Sequence, residues 1–369
     1  MHQRRPEAPP AAEAPDTKPA GGSPEPSKES SSASSRHPGA FKAWLIATRP
    51  KTLTASFTPI LVGATETAAL DHLEVGSVVL FWLFAILIQV CTNLHNDYAD
   101  FVKGADTAER KGSARATQKG WLTPRQVAGA AIMSACAAAA VGVCIILTSC
   151  PSRFSVGFMT FVLMTSLFNA FAYTGGKFPL GMLGLGWVSL GYAGLGDLFV
   201  FLYFGLVATV APWVLSVGTL PPVNIRISAA VVGLHAVAIL VVNNLRDVEQ
   251  DNKAGKKTLA VRLGRSFTRW EYTVCLLLPF LLSIVILFIQ PLLPEGVPQS
   301  IFVCSDSPEL CLLSQVLPLF SLPLAVSHVW AIWFSEGESL DEYVGRTAQF
   351  QLIYGLLVAA GAGLRLFFG

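Results

Sequence analysis

Two polar clusters interrupt an otherwise apolar sequence. The first, Asn93-Leu-His-Asn96-Asp97-Tyr-Ala-Asp100, closes one apolar run and leads into a loop rich in Lys and Arg. The second, Asn243-Asn244-Leu-Arg246-Asp247-Val-Glu-Gln-Asp251, has the same setting farther along the chain. Residues three and four apart share a helix face. Asn93, Asn96, Asp97 and Asp100 therefore predict one polar face, and Asn243, Asn244, Asp247 and Asp251 a second. Carboxylates crowded at one site repel unless a cation joins them, and hard divalent cations prefer oxygen ligands. Mg2+ takes one or two carboxylates together with substrate phosphate oxygens. The spacing thus predicts two acidic clusters that face each other across a cavity and hold a diphosphate through Mg2+. A lone Asp pair at a helix end is ordinarily a solvated terminus. Repetition, and the cost of ionisable groups at membrane depth, point to a site instead.

The loops after each cluster supply countercharge. Lys103, Arg110, Lys111, Arg115 and Lys119 follow the first, and Lys253, Lys256, Lys257 and Arg262 the second. Arg115, Lys119 and Arg246 are the candidate phosphate-binding groups, and the remaining cations read as orientation signals. Tyr173, in Phe171-Ala-Tyr-Thr-Gly-Gly-Lys177, and Asp197, in Gly194-Leu-Gly-Asp197, are further candidates at the ends of apolar runs. Tyr173 also suits an interfacial aromatic.

Elements that could position these groups follow from composition. Of 369 residues, 52% are hydrophobic and 14% charged, against roughly 25% charged in soluble domains, which points to lipid as the solvent. Nine apolar runs approach the ~18 residues needed to cross a bilayer: 53–70, 76–96, 126–149, 154–173, 195–217, 227–245, 273–290, 311–333 and 348–367. Lipid satisfies no open sheet edge, so an all-helical, multi-pass bundle is predicted. Lys and Arg concentrate after both acidic clusters, with Lys42, Arg49, Lys51 and Lys177 on the same predicted side. This puts the N-terminus and both clusters inside and the C-terminus outside. Arg49-Pro50 predicts the end of a short interfacial helix begun near Ala43-Trp44. Arg49 and Lys51 are either site groups or snorkelling topology markers.

Residues 1–38 hold eight Pro, seven Ser and no aromatic residue, predicting a solvated, disordered tail ahead of a membrane domain over 39–369. The tail lacks an apolar signal region, and its five acidic residues are unlike a transit peptide. The seven Cys show no metal-ligand spacing, although Cys304 and Cys311 share a predicted outer loop and could pair. The segment 181–191 reads as a local insertion. Nothing in the charge pattern suggests a nucleic-acid partner.

From about Arg49 to the C-terminus the chain resembles the UbiA superfamily of intramembrane aromatic prenyltransferases, most closely the 1,4-dihydroxy-2-naphthoate polyprenyltransferase branch. The resemblance is carried by 96–106 (Asn-Asp-Tyr-Ala-Asp-Phe-Val-Lys-Gly-Ala-Asp), Gln118-Lys119-Gly120, 172–176, 194–197 and 243–264. It implies nine helices around a central cavity, with Mg2+ and an allylic diphosphate between the Asp motifs. It also implies transfer of a polyprenyl group to an aromatic ring, with loss of CO2 in the naphthoate branch. By that resemblance Asp97, Asp100, Asp247, Asp251 and Asp106 are the metal residues. Asn93, Asn96, Arg49, Asn243, Asn244 and Lys103 bind substrate, and Arg115, Lys119, Arg246, Tyr173 and Asp197 are catalytic. Gly104 stands where the commonest first motif carries a third carboxylate, and Asp106 is the next one available. Homogentisate or 4-hydroxybenzoate are alternative acceptors. A secondary transporter is the competing class, since it too carries charge at membrane depth.

Overall fold

The computed structural model describes residues 38–105, 114–289 and 308–368. Asp106, Arg110, Lys111, Cys304 and the tail up to residue 37 lie outside that set, as does the side chain of Cys311. Among the described residues the structure is helical, with no strand. Helix α1 (Ala40–Thr48) ends at Arg49, whose φ of 53° breaks the chain before α2 (Pro50–Ala68) begins on a proline. Then come α3 (Val75–Val102), α4 (Pro124–Thr148) and α5 (Arg153–Ala172). Both α4 and α5 open with a capping box, from Thr123 with Gln126 and from Ser152 with Ser155. Helices α6 (Gly196–Val200) and α7 (Ala208–Val217) are joined by a π-helical turn over Phe201–Val207. Helices α8 (Val223–Lys253), α9 (Leu259–Ile289), α10 (Pro308–Val316), α11 (Leu322–Phe334) and α12 (Ser339–Phe368) complete the bundle.

Among the described residues, eight helical segments are long and apolar enough to cross a membrane. The sequence led us to expect nine. The run expected at 53–70 does form a helix, α2, but it is not among the eight. It carries Ser56, Thr58, Glu66 and Thr67, all buried, so its polarity faces protein rather than lipid. Helices α3 and α8 run past their expected ends at 96 and 245, which makes both acidic clusters helical throughout.

Core and surface are distributed as lipid demands. One apolar cluster joins α2, α3, α4, α5 and α7 through Ile60, Phe81, Phe84, Ile145, Met159 and Leu215. Another joins α8, α9, α11 and α12 through Val241, Leu245, Leu276, Ile332 and Phe350. Met133, Leu147, Phe161, Met164, Trp330 and Phe367 are exposed on the outside of the bundle, where hydrocarbon and not water would meet them. Helix crossings rely on small residues. Gly63 of α2 meets α7 so closely that an added Cβ would stand 2.0 Å from the Thr209 carbonyl oxygen.

Gly63→Ala is therefore expected to destabilise the bundle by about 1–3 kcal/mol, read as a fall in thermal midpoint of purified protein. Gly129→Ala, on α4 with nothing within 4 Å of an added Cβ, is the control and should leave the midpoint at or above wild type.

Candidate active site

The C-terminal turns of α3 and α8 deliver their polar residues to the mouth of one cavity of about 330 Å³. Asn93, Asn96 and Asp100 line it from α3, and Asn243, Asn244, Asp247 and Asp251 from α8; Arg49, Arg115, Tyr173, Tyr192 and Lys256 complete the polar wall. Earlier turns of the same helices continue the lining with Phe81, Phe84, Ile88, Ile239 and Leu240, joined by Val162 of α5 and Phe199, Phe204 and Val207. From Phe81 to Asn96 is about 22 Å along a helix axis. The cavity thus has a charged head and a long apolar body.

Each carboxylate at the head has a cation. Arg115 Nη2 lies 3.5 Å from Asp100 Oδ2. Lys256 Nζ lies 3.6 Å from the same oxygen and 3.4 Å from Asp251 Oδ1, tying α3 to α8. Tyr192 donates to Asp100 Oδ1 at 3.0 Å. Its ring lies under two ammonium groups, Lys103 at 4.0 Å and Lys256 at 5.1 Å from the centroid. Asn93 Nδ2 donates to the Thr48 carbonyl at 3.0 Å, which fixes the end of α1 beside Arg49. Thr174 connects the next wall: its hydroxyl donates to Asn96 Oδ1, and its carbonyl accepts from Lys103 and, at 2.6 Å, from Ser189.

Five sequence-predicted residues stand away from the cavity lining. Asp97 turns to the following loop, where Oδ2 accepts from the Ala116 backbone N–H at 3.1 Å, so it holds the segment that presents Arg115. Its Oδ1 is buried with no hydrogen-bond partner among the described residues. Arg246 is buried and forked onto Asp247, with Nε 2.8 Å from Oδ1 and Nη2 2.7 Å from Oδ2. Its other contacts are Asn243 at 2.8 Å and Asp341 of α12 at 2.5 Å. Expected as a catalytic group, it braces Asp247 and does not line the cavity. Lys119, also expected to be catalytic, is exposed at the turn after Thr117. Lys103 lines a different cavity, with Gly176 and Trp187. Asp197 is buried in the first turn of α6. Asp106 lies outside the described residues.

Tyr192 and Lys256 were missed, the first because it lies just past the segment 181–191 read as an insertion and the second because it was read as an orientation signal. The available clue was an isolated Tyr among the glycines of Gly191-Tyr-Ala-Gly-Leu-Gly196, between two apolar runs. Outside the spans, burial pulls Lys103 below the ordinary lysine range, Asp100 opposes this and Lys256 adds to it. Burial, with Asp197, Asp251 and Asp100 nearby, pushes the Tyr173 phenol up, so it remains a neutral donor at the cavity wall.

The oxygen-only donor set of Asp100, Asp247, Asp251 and the neighbouring amides suits a hard divalent cation. Among the described residues no three His, Cys, Asp or Glu side chains converge as a closed ligand set. The fit is therefore to a cation shared between one or two carboxylates and a bound phosphate.

These features define an all-helical, multi-pass membrane protein with paired acidic motifs over an amphiphilic cavity. The chain belongs to the UbiA prenyltransferase family, which matches residues 56–304. It is 35% identical to the 1,4-dihydroxy-2-naphthoate octaprenyltransferase of Escherichia coli over 66% of this chain and 76% of that protein. It is 32% identical to the enzyme of that name from Haemophilus influenzae over 80% and 96%. A UbiA homologue from Archaeoglobus fulgidus, solved bound to DMAPP and Mg2+, shares the fold with a TM-score of 0.54 and 14% identity, over 86% of this chain and 99% of its own.

Removing the Arg246 fork strands a buried carboxylate. Arg246→Met is expected to cost about 3 kcal/mol or more of stability, measured by thermal unfolding. Arg246→Lys should recover only part of it, because an ammonium cannot engage both oxygens of Asp247 in a planar fork.

Proposed function

We propose that this protein transfers a polyprenyl group from an allylic diphosphate to 1,4-dihydroxy-2-naphthoate, with loss of the acceptor carboxylate as CO2, in menaquinone or phylloquinone synthesis. One observation carries the proposal: a single cavity has paired Asp motifs and basic residues at its head and an apolar body behind them, the shape and polarity of a prenyl diphosphate. The similarity to enzymes named for dihydroxynaphthoate supports this acceptor over homogentisate or 4-hydroxybenzoate. A transporter reading gives no account of cations set directly on both Asp motifs.

Asp100, Asp247 and Asp251 would hold Mg2+, with Asp97 as a neighbouring carboxylate; Asp106, outside the described residues, is the remaining candidate. When bound, Mg2+ would neutralise charge on the diphosphate. Arg49, Arg115 and Lys256 face the same head and stabilise the negative charge that grows on the leaving oxygen as the allylic C–O bond breaks. Asn93, Asn96, Asn243 and Asn244 orient the diphosphate by their amides. Tyr173 offers an aromatic face near the cationic prenyl carbon, and an electron-rich ring carbon of the acceptor then closes the new C–C bond. Asp197, behind this wall, is read as a support. The apolar body excludes water that would otherwise capture the cation.

In the same reading residues 39–369 are one membrane domain and α2 is a ninth crossing, its polar residues turned inward. The basic loops favour a cytoplasmic or equivalent side for the N-terminus and both Asp motifs.

Purified protein in nanodiscs, given Mg2+, a mixture of prenyl diphosphates and each of the three aromatic acids, is expected to yield a decarboxylated prenyl naphthoquinol by mass spectrometry. Product from either benzenoid acid alone would overturn the acceptor assignment. Asp100→Asn, Asp247→Asn and Asp251→Asn should each lower turnover roughly tenfold or more while the protein stays folded. Asp97→Asn, which keeps an oxygen to accept from Ala116, should lose less. Wild-type turnover in the first three would sink the site.

A further inference from the structure

Lys256 is held from several sides. Its ammonium stands 3.4 Å from Asp251 Oδ1 and 3.6 Å from Asp100 Oδ2, over the ring of Tyr192. The loop that carries Tyr192 is fastened to the loop that carries Lys256. Lys257 N–H donates to the Tyr192 carbonyl at 2.9 Å, and Arg262 Nη2 donates to the Ala193 carbonyl at 2.8 Å. Gly194, at φ +79°, approaches so closely that a Cβ would stand 2.3 Å from the Lys257 carbonyl oxygen. An orientation signal needs only a lysine somewhere in the loop. This one is aimed by two joined loops at a seat between carboxylates of two different helices.

We propose that Lys256 is the resident counter-ion of that seat. It holds Asp100 and Asp251, and with them α3 and α8, in register. It gives up the carboxylates when a divalent cation binds, turning its ammonium to the diphosphate. Its flexible stem and compact charge allow that exchange without movement of the Tyr192 loop. The proposal rests on the metal-dependent reading given above.

Mn2+ is the probe, titrated by electron paramagnetic resonance into the full chain in nanodiscs without prenyl diphosphate. Lys256→Met keeps the side chain's length and removes its charge. It is expected to bind Mn2+ roughly tenfold more tightly than wild type, because a competing cation has gone, while KM for the prenyl diphosphate rises. Lys256→Arg keeps the charge and should hold the Mn2+ Kd at or above the wild-type value. A lysine that only binds phosphate would leave the Kd of Lys256→Met unchanged, and one that only supports the fold would weaken it; either result overturns the counter-ion role. Should Lys256→Met fail to fold, Lys256→Gln decides through its Mn2+-dependent rise in thermal midpoint. A rise larger than wild type supports the role, and an equal or smaller one overturns it. A wild-type protein that binds no Mn2+ overturns the metal reading itself, and with it this proposal.

Discussion

Bringing buried carboxylates from two helices within reach of one ammonium is the constraint on which the site depends. Asp100, Asp247 and Asp251 are 3%, 7% and 6% exposed, and burying carboxylates is costly unless cations and hydrogen bonds compensate. Compensation comes from three cations: Arg115 from the loop after α3, Arg246 from α8 itself, next to Asp247, and Lys256 from the loop before α9. Loops are ordinarily the least fixed parts of a fold, so each basic loop has its own tether. Asp97 fixes the first through Ala116, and the Tyr192 loop fixes the second through Lys257. Much of the polar structure around the cavity therefore serves charge placement, not contact with a ligand.

A lipid environment decides what the rest of the chain must do. With hydrocarbon outside, apolar residues gain little by turning inward, and helices associate through close packing and polar contacts. This accounts for exposed Phe161 and Trp330 beside a buried Ser56 that donates to Gln89 Oε1 at 2.5 Å. It also accounts for Gly205 and Gly233, where an added Cβ on the first would stand 2.5 Å from the Cα of the second. Helix α2 is the extreme case, with inward polarity high enough to lower its apolar signal.

The helical class, the break at Arg49-Pro50 and the meeting of two Asp motifs were legible in the sequence, because each follows from local chemistry: hydropathy, proline geometry and repeated carboxylate spacing. Lys256 and Tyr192 were not. Their roles exist only once the 189–195 loop lies across the 254–258 loop, joined by Tyr192 and Lys257, a pairing distant in sequence that no local pattern encodes. Lys119 is the converse case, a cation near a motif in sequence that is exposed and does not line the cavity.

Helical rotation accounts for most of the remaining disagreement. At about 100° per residue, Asn93, Asn96 and Asp100 fall within an arc of about 60° on α3, and Asp97 lies about 40° beyond its edge. Asp247 and Asp251, four apart, differ by only about 40° and both line the cavity. Arg246 points about 100° away from Asp247, which leaves its long side chain to curl back and brace that carboxylate from behind. The two motifs look equivalent as strings but differ once wound. The first contributes one carboxylate to the cavity and spends the other on its loop; the second contributes both. A cation held there would depend more on α8 than on α3, and the single α3 carboxylate, Asp100, is the one that Tyr192, Arg115 and Lys256 all contact.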